Sequence, residues 1–371
     1  MSEESKQKSP DTEQESPSVE TPVPTETKPE KPSLSLDLSK LLTVTSSPHV
    51  RSAESTTALM TDVIIAMIPA LIWAIYIFGF RALSLTVISV ISAVAAEYLY
   101  QKIMKKPVTV SDLSAVVTGI LIAFNLPVNV PLWLPIIGSA FAIIIVKQLF
   151  GGIGKNIVNP AIAARIFLFL SFSQYMSKYF KVDGIVKKLS PFTIDVMSGP
   201  QAAVDAIIGA TPLASNAPEI DFFTLFLGQK GGCIGEISIL LLLAGGIYLL
   251  IRRVITWHIP VSFIGVVAII TFLFPHTPDQ VGFMLTQILS GGVVLGAFFM
   301  ATDYVTSPLT SVGKLIFGAG CGLITIFIRY FGAYPEGVSF SIMIMNLFVW
   351  YIDKATKPVK FGGEVKNVAQ K

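Results

Sequence analysis

An all-α, polytopic membrane protein is the fold class this sequence predicts, and three observations predict it. Hydrophobic residues make up 52% of the 371 residues and charged residues only 14%, against about 25% charged in a typical soluble domain. The mean hydropathy is +0.68, and the apolar residues gather into runs near the roughly 20 residues a helix needs to cross a bilayer. The basic residues cluster at the ends of those runs. Lipid offers no hydrogen-bond partner, so runs of this kind span as helices, whose backbone groups satisfy one another.

In order, residues 1–33 are rich in Glu, Ser, Pro, Thr and Lys, bury too little apolar surface to offset ordering, and are expected to be a disordered cytoplasmic tail. They contain no apolar signal-peptide core. Residues 34–61 read as an interfacial lead-in. A first block, 62–172, holds five apolar runs: 62–80, 83–101, 113–126, 132–150 and one ending near 172. The third is short and ends in Asn125-Leu126-Pro127, so a broken or half helix is expected there. Residues 173–234 form the longest polar interval. A second block, 235–353, holds five more runs: 237–251, 257–274, 281–300, 315–330 and 338–352. Residues 354–371 are a lysine-bearing tail.

Ten spans put both termini on one side. Lys102, Lys105, Lys106, Lys147, Lys155, Arg252, Arg253, Lys314, Lys354 and Lys357 share that side, whereas the loops near 127–131 and 275–280 carry no Lys or Arg. The positive-inside rule makes the terminal side cytoplasmic and places 173–234 outside. Five spans per block is an odd number, so the second block is expected to be inverted relative to the first. A glycine-broken apolar run recurs as Thr118–Pro127 and as Gly292–Ala301. Transport proteins use this plan and bind near the midplane, where interrupted helices meet.

The composition excludes several functions. A net charge of +3 is too small to argue for nucleic acid. Cys233 and Cys321 are far apart with no CxxC, so neither a metal site nor a disulfide is expected. The scattered His49, His258 and His276 read as capping or interfacial. Gly151 to Lys155 is followed by Asn156, where a nucleotide-binding loop needs Ser or Thr. No nucleophile–base or paired-acid constellation occurs, so no catalytic residue is assigned. An enzymatic role would need a bound cofactor to carry the chemistry.

Several residues remain as candidates. Asp62, Glu97, Asp112 and Asp303 are acids inside or bordering spans, where ionisable groups are functional by default. Glu97 sits deepest, and it could serve a cation path or simply pair with Lys102 or Lys105. Ser290-Gly291-Gly292 suggests a broken helix whose exposed backbone lines a cavity or is buried in protein. Gly292/Gly296 and Gly318/Gly322 have the spacing of close helix packing. Asn156 and Asn159, three apart, would share a helix face; they could read the edge of a planar heterocycle or cap the fifth span. Asp205-Ala206-Ile207-Ile208-Gly209-Ala210-Thr211-Pro212-Leu213 reads locally as a helix start, with Thr211 as N-cap and Pro212 at the first helical position.

Four blocks taken together resemble one family. They are Ser47 to Arg51, Phe150 to Ala161, Asp205 to Leu213 and Gly296 to Asp303. They are similar to the D component of the Rnf electron-transport complex and, less closely, to the B component of the sodium-translocating NADH:quinone oxidoreductase. The resemblance covers about residues 45–355. It implies a urea-transporter-like inverted repeat in a translocase subunit, not catalytic alone, of a ferredoxin:NAD oxidoreductase coupled to Na+ or H+ movement. It also implies FMN joined through its phosphate to a threonine in the pattern Asp-x-x-Ser/Thr-Gly-Ala-Thr. Asp205, Gly209, Ala210 and Thr211 match that pattern, which makes the Thr211 hydroxyl the acceptor, while Ile208 replaces the usual hydroxyl residue. The implied partners are the other Rnf components (A, B, C, E and G), membrane lipid, and an exported flavin transferase, which suits an acceptor placed outside. The implied location is the bacterial cytoplasmic (inner) membrane. A non-covalent riboflavin is also associated with the family, in the block that holds Asn156 and Asn159. The rival readings are the quinone-reductase component itself and a non-redox channel or transporter of the same fold.

Overall fold

The computed structural model describes residues 55–177, 179–180, 208–209, 213, 226, 232–332 and 336–357. The expected tail 1–33, most of the lead-in, the C-terminal tail beyond 357, and Asp205, Ala210 and Thr211 lie outside the described residues.

Helices dominate, and their ends follow local chemistry. α1 (Thr56–Phe78) starts earlier than residue 62 because Ser55 caps it, its hydroxyl accepting from the Ala58 N–H at 3.1 Å. The end of the expected lead-in is therefore helix. Gly79 breaks the chain before α2 (Phe80–Ile103). α3 (Ser114–Phe124) is 11 residues long and stops at Asn125, whose side-chain amide donates back to the Leu121 carbonyl at 2.6 Å. It is too short to cross a bilayer, as its sequence suggests. α4 runs Trp133–Gln148, and its second part, Phe141–Gln148, widens into a π-helix. α5 (Pro160–Ser171) begins with Asn159 as cap and Pro160 in the first turn.

After the polar interval come α6 (Ile239–Ile251) and α7 (His258–Leu273). α8 (Gln280–Leu289) breaks at Ser290-Gly291-Gly292 and resumes as Val293–Met300 with a 57° bend, the second part again closing as a π-helix. Gly291 and Gly292 have φ of 67° and 70°, a left-handed backbone that other L-residues adopt at a cost. α9 (Ser311–Phe331) begins earlier than residue 315 because Thr310 caps it, and α10 (Val338–Ala355) completes the set.

Among the described residues, four helices are long and apolar enough to cross a membrane, or up to five if broken α8 counts as one, and α3, α4, α5, α6 and α7 are shorter and apolar. Between 28% and 39% of the apolar windows of the long helices is buried inside the protein. The rest, including Ile72, Ile91, Phe331 and Trp350, points outward. Long apolar helices that leave most of their apolar windows facing outward are at home in lipid and not in water, so this is a multi-pass membrane protein.

α1 packs on α6, and α5 on α10; α2 packs on α3 and α4, and α7 on α8 and α9. The α7–α9 crossing is close because Gly318 and Gly322 face it. A Cβ there would stand 2.7 Å from the Ile259 carbonyl oxygen and 2.8 Å from that of Phe263. Arg81, in the first turn of α2, is buried; it donates to the Val128 and Val130 carbonyls at 2.9 and 2.8 Å and holds the turn between α3 and α4. Two two-residue strands, β1 (Tyr179–Phe180) and β2 (Ile208–Gly209), pair antiparallel with Tyr179 opposite Gly209.

Candidate functional site

The Asp205–Leu213 stretch meets the described structure at two points. Gly209 belongs to β2. Leu213, two residues beyond Thr211, lies against Gly291 at the break in α8, so that a Cβ on Gly291 would collide with Leu213 Cδ1.

At the C-terminal end of α8, a cavity of about 380 Å³ lies among α1, α3, α4, α6, the 151–159 loop and the residues that follow α8. Small-molecule sites have this size. Asn156 and Asn159 both line it, with Ser114, Lys147, Phe299 and Asp303. The two amides do not share a helix face, because helix begins only at Pro160; the turn of the preceding loop brings them to one wall. Asn159 Oδ1 accepts from the N–H groups of Ala161 and Ile162 at 2.9 and 3.4 Å, and Nδ2 donates to the Met300 carbonyl at 3.1 Å. It therefore caps α5 and ties it to α8. Asn156 Nδ2 donates to the Val158 carbonyl at 3.1 Å.

Asp303 follows α8 and is half-buried in the cavity wall. Burial pushes its carboxyl above the usual range, while hydrogen bonds from the Thr306 hydroxyl, the Val305 N–H, Asn156 and the Tyr304 N–H pull it down. Amide, hydroxyl, ammonium and carboxylate groups set in apolar walls suit a flat heterocycle with a polar edge.

Behind the cavity wall lies Glu97, 0% exposed. Its partner is not Lys102 or Lys105 but Lys147 of α4. Lys147 Nζ is 2.8 Å from Glu97 Oε1 and 2.6 Å from Ser114 Oγ, and Gln148 Nε2 donates to the same Oε1 at 2.7 Å. Glu97 Oε2 is buried without a partner. Of the other acids, Asp112 accepts from the Ser114 N–H and hydroxyl at 2.9 and 2.5 Å. Asp62 accepts from Tyr248 of α6 and from Arg252 just after it, at 2.9 and 3.1 Å.

A second ion cluster was not anticipated from the sequence. Arg165, buried in α5, donates from Nη1 to Asn125 Oδ1 at 2.5 Å and from Nη2 to Glu236 at 3.5 Å and to Glu336. The Cys233 sulfur and one oxygen from each of these carboxylates lie within 4.8 Å of one another, and the Arg165 guanidinium supplies the positive charge among them. Burial, with Glu236 next, pushes the Cys233 thiol up to about 12, so it stays protonated. Nearby, Arg329 of α9 donates to the carbonyls of Gln287 and Ser290 at 2.5 and 3.1 Å. These backbone acceptors are the ones that the break in α8 exposes. One signal could have found this cluster: Arg165 and Arg329 are cations inside apolar runs.

The NQR2, RnfD, RnfE family model matches residues 43–362. The D component of the sodium-translocating ferredoxin:NAD(+) oxidoreductase complex of Acetobacterium woodii is 47% identical over 323 residues, covering 86% of this chain and 95% of that one. The proton-translocating counterpart of Clostridium ljungdahlii is 40% identical, over 87% of this chain and 96% of the relative. The D component of the ion-translocating oxidoreductase complex of Escherichia fergusonii is 36% identical, over 86% and 98%. With the model match running through both helical blocks and the interval between them, the chain belongs to the NQR2, RnfD, RnfE family.

Proposed function

We propose that this chain is the D-type membrane component of a complex that passes electrons between ferredoxin and NAD and couples the passage to export of Na+ or H+. The observation that carries this is the likeness, over nearly the whole of each chain, to proteins that bear that description. The other components of the complex are its partners (A, B, C, E and G), and a bacterial cytoplasmic membrane is its location. The five shorter apolar helices span or half-span together with the long ones, giving ten spans in two inverted five-helix halves with both termini cytoplasmic. Packing supports the inversion: α1–α6 and α5–α10 are contacts between equivalent helices, and α2 and α7 each gather the next two helices of their own half.

Thr211 carries FMN as a phosphoester on its hydroxyl, placed there by an exported flavin transferase. Asp205, Gly209 and Ala210 complete the attachment pattern. A riboflavin occupies the cavity beside Asn156 and Asn159, where Asp303 and Lys147 also offer polar contacts. Flavins supply one- and two-electron transfer, and this chain is the scaffold that holds them. The seat of Leu213 against Gly291 supports this arrangement, because it ties the attachment stretch to the broken helix.

In-gel ultraviolet fluorescence of the denatured chain, after co-expression with a flavin transferase, tests the attachment. A fluorescent band that disappears in Thr211→Ala is expected. A band that survives the substitution would sink the assignment.

A further inference from the structure

We propose that Arg165 is a built-in cation barrier, a guanidinium held between Glu236 and Glu336 that stops Na+ and H+ leaking along the seam between the two halves. The inference rests on the ion-translocating reading above and extends it to one side chain.

A line of polar groups crosses an otherwise apolar core. It starts at the cavity, where Asn159 donates to the Met300 carbonyl. Met300 Sδ takes a 3.6 Å contact from Asn125 Nδ2, and Asn125 Oδ1 accepts from Arg165 at 2.5 Å. Arg165 then reaches Glu236 and Glu336. Glu236 Oε1 lies against Gly292, 2.8 Å from where a Cβ would stand. The line ends at the Ser290 carbonyl, which Arg329 holds from the far side and near which Leu213 packs. Between the cavity and that carbonyl, every step but Arg165 offers an oxygen or sulfur acceptor, the kind of lining a cation or a proton can follow through a membrane.

Arg165 interrupts that lining in two ways. Its guanidinium keeps its charge in proteins, so it repels any cation that approaches along the line. It also has five donors and no acceptor, so a proton cannot be handed through it. Glu236, Glu336 and Asn125 hold the planar fork in place across the line. Without the guanidinium, the same two carboxylates would face each other with the Asn125 carbonyl beside them, an attraction for cations where there had been a barrier.

The test uses the whole complex in sealed liposomes with no electron donor, reading Na+ entry and H+ entry with ion-sensitive dyes. Arg165→Gln should raise passive entry of Na+, H+ or both by at least about tenfold, because it removes the fixed charge. Arg165→Lys, which keeps a charge and donors only, should stay as tight as the parent. Where Arg165→Gln does not assemble, Arg165→Gln/Glu336→Gln, which removes the cation together with one carboxylate and leaves Glu236 on the line, carries the same expectation. Parent-like tightness in an assembled variant lacking Arg165 would overturn the proposal. So would equal leakage by Arg165→Lys, or a matching rise in chloride and sucrose entry, which marks loosened packing. Ferredoxin-driven transport by the parent in the same vesicles separates the two ideas. Its absence defeats the ion-pump reading, whereas its presence with unaltered tightness in Arg165→Gln defeats the barrier alone.

Discussion

The two buried ion clusters sit at opposite ends of α3 and differ in what they join. Lys147–Glu97, beside Ser114 at the start of α3, links α4 to α2 one-to-one. Arg165, beside Asn125 at its end, serves two carboxylates, one just before α6 and one just before α10. The first cluster is short-range wiring within one block of helices, and the second binds the two blocks together. Taking charges out of water is expensive in both, so neither adds much stability over a well-packed apolar pair. Their value lies in which segments they select as neighbours.

The largest effect should come from unbalancing the one-to-one pair. Lys147→Met leaves Glu97 buried with no cation and is expected to lower stability by about 3–5 kcal/mol. Lys147→Met/Glu97→Leu should recover most of that loss. Thermal unfolding of the purified protein in detergent checks both, and a single variant no worse than the double would show that Glu97 simply takes up a proton.

A smaller effect is expected at the other cluster. Gly291→Ala forces a left-handed alanine, at about 1–2 kcal/mol, and drives a methyl into Leu213 and toward Arg329. Reduced fluorescence at Thr211 should accompany it, measured beside Gly322→Ala. That substitution disturbs the α7–α9 crossing by about 1–3 kcal/mol but should leave the fluorescence unchanged. Loss of fluorescence in both would mean that general destabilisation, and not the seat of Leu213, governs attachment.

The smallest effect belongs to Asn159. Removing this cap with Asn159→Ala should cost about 1 kcal/mol. Asn159→Asp keeps the capping oxygen but loses the donor to the Met300 carbonyl, so it should retain more stability than alanine while still loosening the tie between α5 and α8. Equal stability of the two variants would assign the whole role of Asn159 to the Met300 contact.

Much of the fold was legible in the residues themselves. Each apolar run became a helix, the run ending at Asn125 proved short, and Ser290-Gly291-Gly292 broke α8 where three small residues stand together. The helix starts at Thr56 and Ser311 were missed because Ser55 and Thr310 extend them beyond the apolar run by capping. The site was less legible. Asn156 and Asn159 reach one cavity through a loop turn, which no helical spacing describes. Glu97 had lysines close in sequence, yet its partner is 50 residues away, and Arg165 meets a carboxylate 171 residues away.

By itself the sequence determined a helical membrane protein with interruptions at stated places. Lipid forces each segment to satisfy its own backbone, and glycine, proline and capping residues act within a turn of where they stand. Only the tertiary structure decided which charges share a partner. A buried charge is neutralised by whatever the neighbouring helix presents, and helix neighbours are chosen by packing across the whole chain. The one-to-one pair and the two-to-one cluster are outcomes of that choice, as is the position of Leu213 over the broken helix.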